Sequence, residues 1–479
     1  MDLITSNLIL LHASHPSGAH EITSTPCRNN SVSSASSSSS SHGSTSSSGS
    51  NSRRRNAGCP PAASCEEMGK CVNSCAAYGK ICPLSAAAAG RAARRKVEII
   101  LSDSSLFQGR QPVFHTIESS EVILGEKLGE GGFCSVHACA LGDAPLDESC
   151  AVKYLRRQIT VNKKSFEHGA ADLVTEAFFL ARLDHPNIIR LRAVTAGGIE
   201  TNISSGTETG FFIVIDRLVE TLDQRIHRWK SHMDESPHSL FYRMSKEYKD
   251  NQKALLKERL RVAMDIASVM SYLHSLNIAY RDLKPDNIGF DREGKLKLFD
   301  LGLCKEEKPS ILGENSRYQM TGHTGSRRYM APEVAKDQHY DKSVDVYSFG
   351  LLLWEICTLI KPFEGYCSKK HMVNVIIGGE RPKMDHAHTA NWPESLQGLI
   401  KKCWSSHPEE RPPFPSIVSK LEKIMEELSV VHPERTRARS TGSQEDHHQK
   451  SPLSQVKRLH LQGLGSLRAR SLGLKRSHS

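Results

Sequence analysis

Apolar residues follow two different rhythms along this chain, and the first of them starts near residue 121. Residues 121–129 alternate apolar and polar positions and end in Gly, the period-two pattern of a half-buried strand. Residues 151–153, 188–194 and 210–218 read as further strands. Between them residues 170–183 have helical spacing, with Leu173, Ala177 and Leu180 on one face and Glu176 close to it. Asp184-His185-Pro186-Asn187 ends that helix, because Pro186 cannot continue it. A short helix is expected over 221–229. Leu256, Leu260, Ala263, Ile266, Met270 and Leu273 then recur at threes and fours, an amphipathic helix leading into Tyr280. Residues 288–291 form a short strand, and Glu293-Gly294 marks a hairpin turn. Residues 343–359 make a strongly apolar helix with no wide polar face, which predicts a central position. Helical pieces around Cys403-Trp404 and after Arg411-Pro412 end near Ser429. Strands come first and helices after, so the expected fold class is α+β in two lobes. One is a small β-rich lobe with one main helix and the other a larger helical lobe.

Three stretches escape both rhythms. Residues 31–52 are almost entirely Ser with Gly and Thr, too polar to offset their ordering entropy. On that basis residues 1–115 are expected to be a disordered, Ser-rich, Cys-containing region before a folded domain at 116–430. Residues 231–253 are polar without a clear period and are expected to be an insertion loop. Residues 303–328 form a long polar loop with Tyr318, Thr321, Thr324 and Ser326, and long loops in compact domains usually carry function.

Charge and cysteine content refine this picture only at the edges. The formal net charge of +10 sits in the flanks. Residues 1–120 hold 11 basic and 7 acidic side chains, residues 430–479 hold 10 and 3, and the middle is nearly neutral. Residues 431–479 are therefore expected to be a disordered basic tail, able to meet acidic membranes or nucleic acid. The 13 cysteines are spread along the chain, which excludes a compact disulfide framework and fits a reducing compartment. Cys59, Cys65, Cys71, Cys75 and Cys82 lack the CxxC pairs of a zinc site. Residues 8–11 are too short for a secretory signal. The acid-free interval 22–65 with Arg53-Arg54-Arg55 is compatible with a transit peptide, without further support. The longest apolar run, 349–360, contains Glu355 and is too short to span a bilayer, so no transmembrane segment is expected.

The densest chemistry lies in Tyr280-Arg281-Asp282-Leu283-Lys284-Pro285-Asp286-Asn287. Asp282 can accept a proton, Lys284 can neutralise developing negative charge, and Asn287 offers a carbonyl oxygen to a hard cation. Asp300-Leu301-Gly302 follows, and its acid meets Asn287 only if the intervening chain folds as a hairpin. Gly129-Glu130-Gly131-Gly132-Phe133-Cys134-Ser135-Val136 is a turn of small residues that lets backbone N–H groups approach phosphate oxygens. A plain hairpin would look similar, and Lys153 about 20 residues on favours the phosphate reading. A buried Lys153 needs a partner, for which Glu176 is the candidate.

In this order and spacing the motifs resemble the eukaryotic protein kinase family over residues 117–429. SFGLLLWEI and the CW…HPEERPPF ending are most similar to the tyrosine-kinase-like group of Ser/Thr kinases. The resemblance implies transfer of the γ-phosphoryl group of ATP, with Mg2+, to Ser/Thr hydroxyls of protein substrates. It implies an intracellular setting, cytoplasmic or also nuclear. It implies nucleotide contacts at Leu128, Gly129, Glu130, Gly131, Gly132, Phe133, Val136 and Ala151. Lys153 would hold the α/β-phosphates and pair with Glu176. Ile215 stands at the gatekeeper position before hinge residues Asp216, Arg217 and Leu218. Asp282 would be the catalytic base, with Lys284 beside the transferred group and Asn287 and Asp300 on the two Mg2+ ions. Glu333 would pair with Arg411, and Asp345 would hold the catalytic loop's backbone. Lys284, and Ser326 after Gly325, favour Ser/Thr acceptors. Arg281 is a cation for a phosphate on the long loop, so an upstream kinase acting on Thr321 or Thr324 is expected to activate the enzyme.

Four positions depart from the family pattern. Cys134 replaces the third Gly of the loop, Tyr280 a His and Leu301 a Phe. Gly289 stands where a large apolar side chain forms the floor under adenine, and such a loss weakens binding by about 1–2 kcal/mol. Two rival expectations are a scaffold with the fold but no phosphoryl transfer, and a kinase that accepts Tyr as well.

Overall fold

A six-stranded sheet and a helical body frame the cleft that holds the sequence motifs. The computed structural model describes residues 81–142, 150–206, 210–234, 245–307, 326–384, 389 and 392–429. It opens with a helix, α1 (Pro83–Asp103), followed by strands β1 (Thr116–Ile117), β2 (Val122–Glu130), β3 (Cys134–Leu141) and β4 (Cys150–Leu155). Next come α2 (Lys163–Leu180), β5 (Leu191–Thr195), the short helix α3 (Ile199–Ser204) and β6 (Phe212–Asp216). The strand order is β1-β5-β6-β4-β3-β2, antiparallel except where β1 lies parallel to β5. Asn162 caps α2 by accepting a hydrogen bond from the Ser165 N–H at 3.1 Å, satisfying one of the helix's orphan donors. From Leu173 to Leu180 every α2 residue is buried, Glu176 included.

The second lobe begins with β7 (Glu220–Thr221), α4 (Leu222–Asp234) and α5 (Lys246–Ser275), then β8 (Ile278–Ala279), β9 (Ile288–Phe290), β10 (Leu296–Leu298) and β11 (Lys305–Glu306). Helices α6 (Ser343–Thr358), α7 (Glu394–Cys403) and α8 (Phe414–Glu427) complete it. The predicted hairpin is present: β9 and β10 pair antiparallel, Leu298 opposite Ile288, and Gly294 takes φ +77° in the turn. α6 is buried at every residue from Val344 to Cys357, the central place its apolar circumference predicts. No described helix is long and apolar enough to cross a membrane.

The expectation of disorder through residue 115 fails for α1 and the segment after it. Ala86, Ala89 and Ala93 are fully buried where α1 packs on α2 and α3. A Cβ on Gly90 would come within 2.1 Å of Ser204 Oγ, so the α1–α3 crossing needs glycine there. Phe107 is 1 % exposed, its ring 5.8 Å from Phe178 and 6.2 Å from Phe179, and burying such a side chain contributes about 1.5–3 kcal/mol. Alanine adds little to a hydropathy pattern but has the highest helix propensity, which is why the segment reads as polar and folds as a helix. The insertion expected at 231–253 is also narrower, since α4 runs to Asp234 and Ser245 caps α5 through the Tyr248 N–H. Polar residues with good propensity extend both helices into it. Thr321, Thr324, Tyr318, Cys59, Cys65, Cys71, Cys75 and the basic tail lie outside the described residues.

Candidate active site

Three charged groups from three elements meet at the floor of the cleft. Lys153 Nζ on β4 lies 2.6 Å from Glu176 Oε2 on α2 and 2.8 Å from Asp300 Oδ1 after β10. Burial opposes the Lys153 charge, yet Asp300 and then Glu176 outweigh it and hold the ammonium well above its ordinary pKa. Burial pushes the Glu176 carboxyl up to about 7 against the pull of Lys153. Asp300 keeps 44 % of its side-chain surface open to the cleft and sits in the left-handed region, φ 62°. A non-glycine residue held there stores strain that the surrounding contacts must offset.

The catalytic-loop residues converge on one carboxylate. Asp282 Oδ1 accepts from the Ser326 N–H at 2.8 Å, and Oδ2 accepts from Lys284 Nζ at 2.6 Å and Asn287 Nδ2 at 2.8 Å. Lys284 Nζ also donates to Ser326 Oγ at 2.8 Å. With its amide nitrogen spent on Asp282, Asn287 has its carbonyl oxygen left for a cation. The Phe299 N–H donates to the Asn287 backbone carbonyl at 3.1 Å, which leaves the side-chain oxygen untouched and sets Asn287 beside the start of the Asp300 turn. Arg281 is left-handed at φ 71°, and Asp345 fixes it by accepting from the Arg281 N–H at 2.7 Å and the Tyr280 N–H at 2.8 Å. Tyr280 and Leu301 are fully buried, and the Tyr280 hydroxyl donates to the Phe299 carbonyl at 2.5 Å, tying the catalytic loop to the Asp300 turn. Glu333 and Arg411 form a buried bidentate pair at 2.6 and 3.0 Å.

Around the residues expected to face a nucleotide the structure is more mixed. Gly129 and Gly132 would tolerate a Cβ without touching any protein atom, so packing does not demand glycine there. Bare backbone free of internal steric need fits a loop that must approach a phosphate. Val136 pairs with Lys153 across β3–β4, and Ala151 pairs with Ile215 across β4–β6; both Ala151 and Ile215 are buried. Leu128 is exposed, whereas Phe133 turns in toward α2, where Gly169 leaves room for its Cβ. The Asp216 carboxylate is turned onto Arg192 at 2.7 Å, which leaves its backbone for the hinge. Gly289 has a physical account: a Cβ there would meet Leu218 Cδ1 at 2.5 Å and Phe299 at 3.3 Å. Those two side chains occupy the volume beside Gly289, so the missing side chain leaves no hole.

Arg156 was not legible as part of the site. It donates to the Gly131 carbonyl at 2.8 Å and lies 2.8 Å from Glu130, bracing the loop tip. Its one sequence signal is a cation directly after the strand that carries Lys153. The half-buried Arg217 reaches Glu126 on β2 at 2.7 Å.

A two-lobed fold with this arrangement defines a protein kinase. A family model described as protein tyrosine and serine/threonine kinase matches residues 122–421, and the chain belongs to that family. Its relatives place it with the tyrosine-kinase-like group. They include the serine/threonine/tyrosine-protein kinase HT1 of Arabidopsis thaliana, 29 % identical over 65 % of this chain and 68 % of that protein. The serine/threonine-protein kinase VIK of the same plant is 41 % identical over 36 % of this chain and 38 % of its own length. A dual serine/threonine and tyrosine protein kinase of Canis lupus familiaris is 29 % identical over 65 % of this chain. The chain spans about two thirds of HT1 but only 29 % of the canine protein.

Proposed function

We propose that the protein transfers the γ-phosphoryl group of ATP to Ser and Thr hydroxyls of protein substrates. The single observation behind this reading is the double convergence of Lys153 with Glu176 and Asp300, and of Asp282 with Lys284, Asn287 and Ser326. Lys153, held in place by Glu176, positions the α/β-phosphates beneath the loop of Gly129, Glu130, Gly131 and Gly132. Asp282 orients the acceptor hydroxyl and takes its proton as the new O–P bond forms and the bond to ADP breaks. Lys284 stabilises the negative charge spread over the phosphoryl group in flight. Asn287 and Asp300 carry the oxygen donors a hard cation prefers, and Mg2+ bound there supplies charge neutralisation on the phosphates. The Ser326–Lys284–Asp282 bonding places a hydroxyl-bearing residue of the substrate-facing segment against the base, which supports Ser/Thr acceptors.

Labelled ATP and Mg2+ with myelin basic protein test the reading directly. Label is expected on Ser and Thr; none at all overturns the activity. The names of the HT1 and canine relatives favour a second reading, acceptance of Tyr as well, and phosphoamino-acid separation of the same product decides between the two.

Regulation belongs to the same reading. Arg281 donates through Nε to the Leu303 carbonyl at 2.7 Å and through Nη1 to Tyr340 at 3.3 Å, presenting a guanidinium beside the base of the long loop. Phosphorylation of Thr321 or Thr324 is expected to raise activity through that cation. The Thr321→Ala/Thr324→Ala protein should lose most of its kcat, and full activity in that variant would refute the regulatory role.

A further inference from the structure

We propose that residues 83–115 are a built-in positioning strap that clamps α2 against the Asp300-Leu301-Gly302 turn and so keeps Glu176 on Lys153. The family match begins at residue 122, after α1 and the segment that follows it. α2 rests directly on the turn: a Cβ on Gly302 would meet Asp172 O at 3.0 Å and Asp172 Cβ at 3.1 Å. α1 packs on α2 and α3, with Ala86, Ala89 and Ala93 fully buried. The chain then turns and inserts Phe107 against Phe178 and Phe179, while Phe114 packs on Phe178 at 5.3 Å. Arg182, just past α2, donates to the Leu106 carbonyl at 2.9 Å.

The strap is latched to the strand that follows the turn. Glu306 on β11 accepts from the Ser104 and Ser105 hydroxyls, from the Ser105 N–H at 2.9 Å and from the Leu106 N–H at 3.4 Å. Lys96 on α1 stands near Asp172 of α2 and Arg281 of the loop before Asp282. Burial lowers its pKa, the nearby Arg281 lowers it further and Asp172 raises it, so this one cation senses both α2 and the catalytic loop. The strap thus touches both partners of the clamp at once: α2 through Phe107 and the alanine face, and the post-turn strand through Glu306. Lys153 and Glu176 stand 2.6 Å apart with the strap in place.

The test uses the full chain and two kinds of variant. Ser105→Asp sets a carboxylate against Glu306 at an exposed position, and Phe107→Ala empties the aromatic pocket. Both should accelerate amide exchange in 83–103 and in 163–180 without nucleotide. Both should lower kcat about tenfold and raise the KM for ATP, because Glu176 then holds Lys153 less firmly on the α/β-phosphates. Ser105→Thr keeps the hydroxyl and should retain wild-type exchange and kcat. The activity arm rests on the kinase reading, whereas the exchange arm does not, so an inactive wild-type protein leaves this proposal decided by exchange. Release of 83–103 with unchanged exchange in 163–180 would overturn it, as would a Ser105→Asp protein whose strap stays protected. Should Phe107→Ala fail to fold, Ser105→Asp decides alone.

Discussion

Replacing Asp282 by Asn is expected to lower kcat about a thousandfold, within the range a positioned proton acceptor contributes. The substitution keeps the shape of the side chain, and its oxygen can still accept from the Ser326 N–H, 2.8 Å away in the parent. An amide cannot take the acceptor's proton, and it no longer neutralises Lys284, which lies 2.6 Å from the carboxylate. ATP affinity should change little, since Lys153, Glu176 and Asp300 are untouched. Steady-state kinetics with labelled ATP, beside a nucleotide-binding titration, separate the two effects. A kcat within about tenfold of the parent would remove Asp282 from the role of base.

Arg411→Met should cost about 3–5 kcal/mol of stability, the largest structural effect expected of any single change in the helical lobe. The Arg411 side chain has no exposed surface and that of Glu333 only 8 %. Besides its two bonds to Glu333, the guanidinium donates to the Ser405 carbonyl at 3.0 Å and the Ser343 carbonyl at 3.2 Å. Removing it strands a carboxylate that is almost entirely shut off from water. The penalty comes from that unpaired charge rather than from any net worth of the ion pair. Glu333→Leu combined with Arg411→Met should accordingly recover much of the loss. Urea denaturation of the parent, the single and the double variant gives the comparison. A single variant within about 1 kcal/mol of the parent would mean the pair is far better solvated than its burial indicates.

The site was legible to the extent that single residues announce their chemistry. Lys153 and Glu176 are 23 residues apart, yet the cost of burying an unpaired Lys on a strand pointed to a carboxylate on the next helix. The Asn287–Asp300 hairpin followed from a Glu-Gly turn between apolar runs. Arg156 was hidden because a lone Arg carries no periodic signal, and for Arg217, placed in the hinge, only the fold shows that it reaches Glu126. Gly289 read as a deficit beneath adenine until Leu218 and Phe299 were seen filling the neighbouring volume.

By itself the sequence determined the candidate reacting groups, their order and the alternation of strands and helices that carries them. Those depend on residue type and on spacing within one or two turns. Tertiary structure alone decided that an alanine-rich segment long before the Gly loop folds back onto α2, and that Ser104 and Ser105 find Glu306 some two hundred residues later. The reason is physical. Alanine packing gains its energy from the close approach of a second helix, and a hydroxyl–carboxylate bond from the arrival of a distant strand. Neither partner leaves a trace in the local pattern of the other.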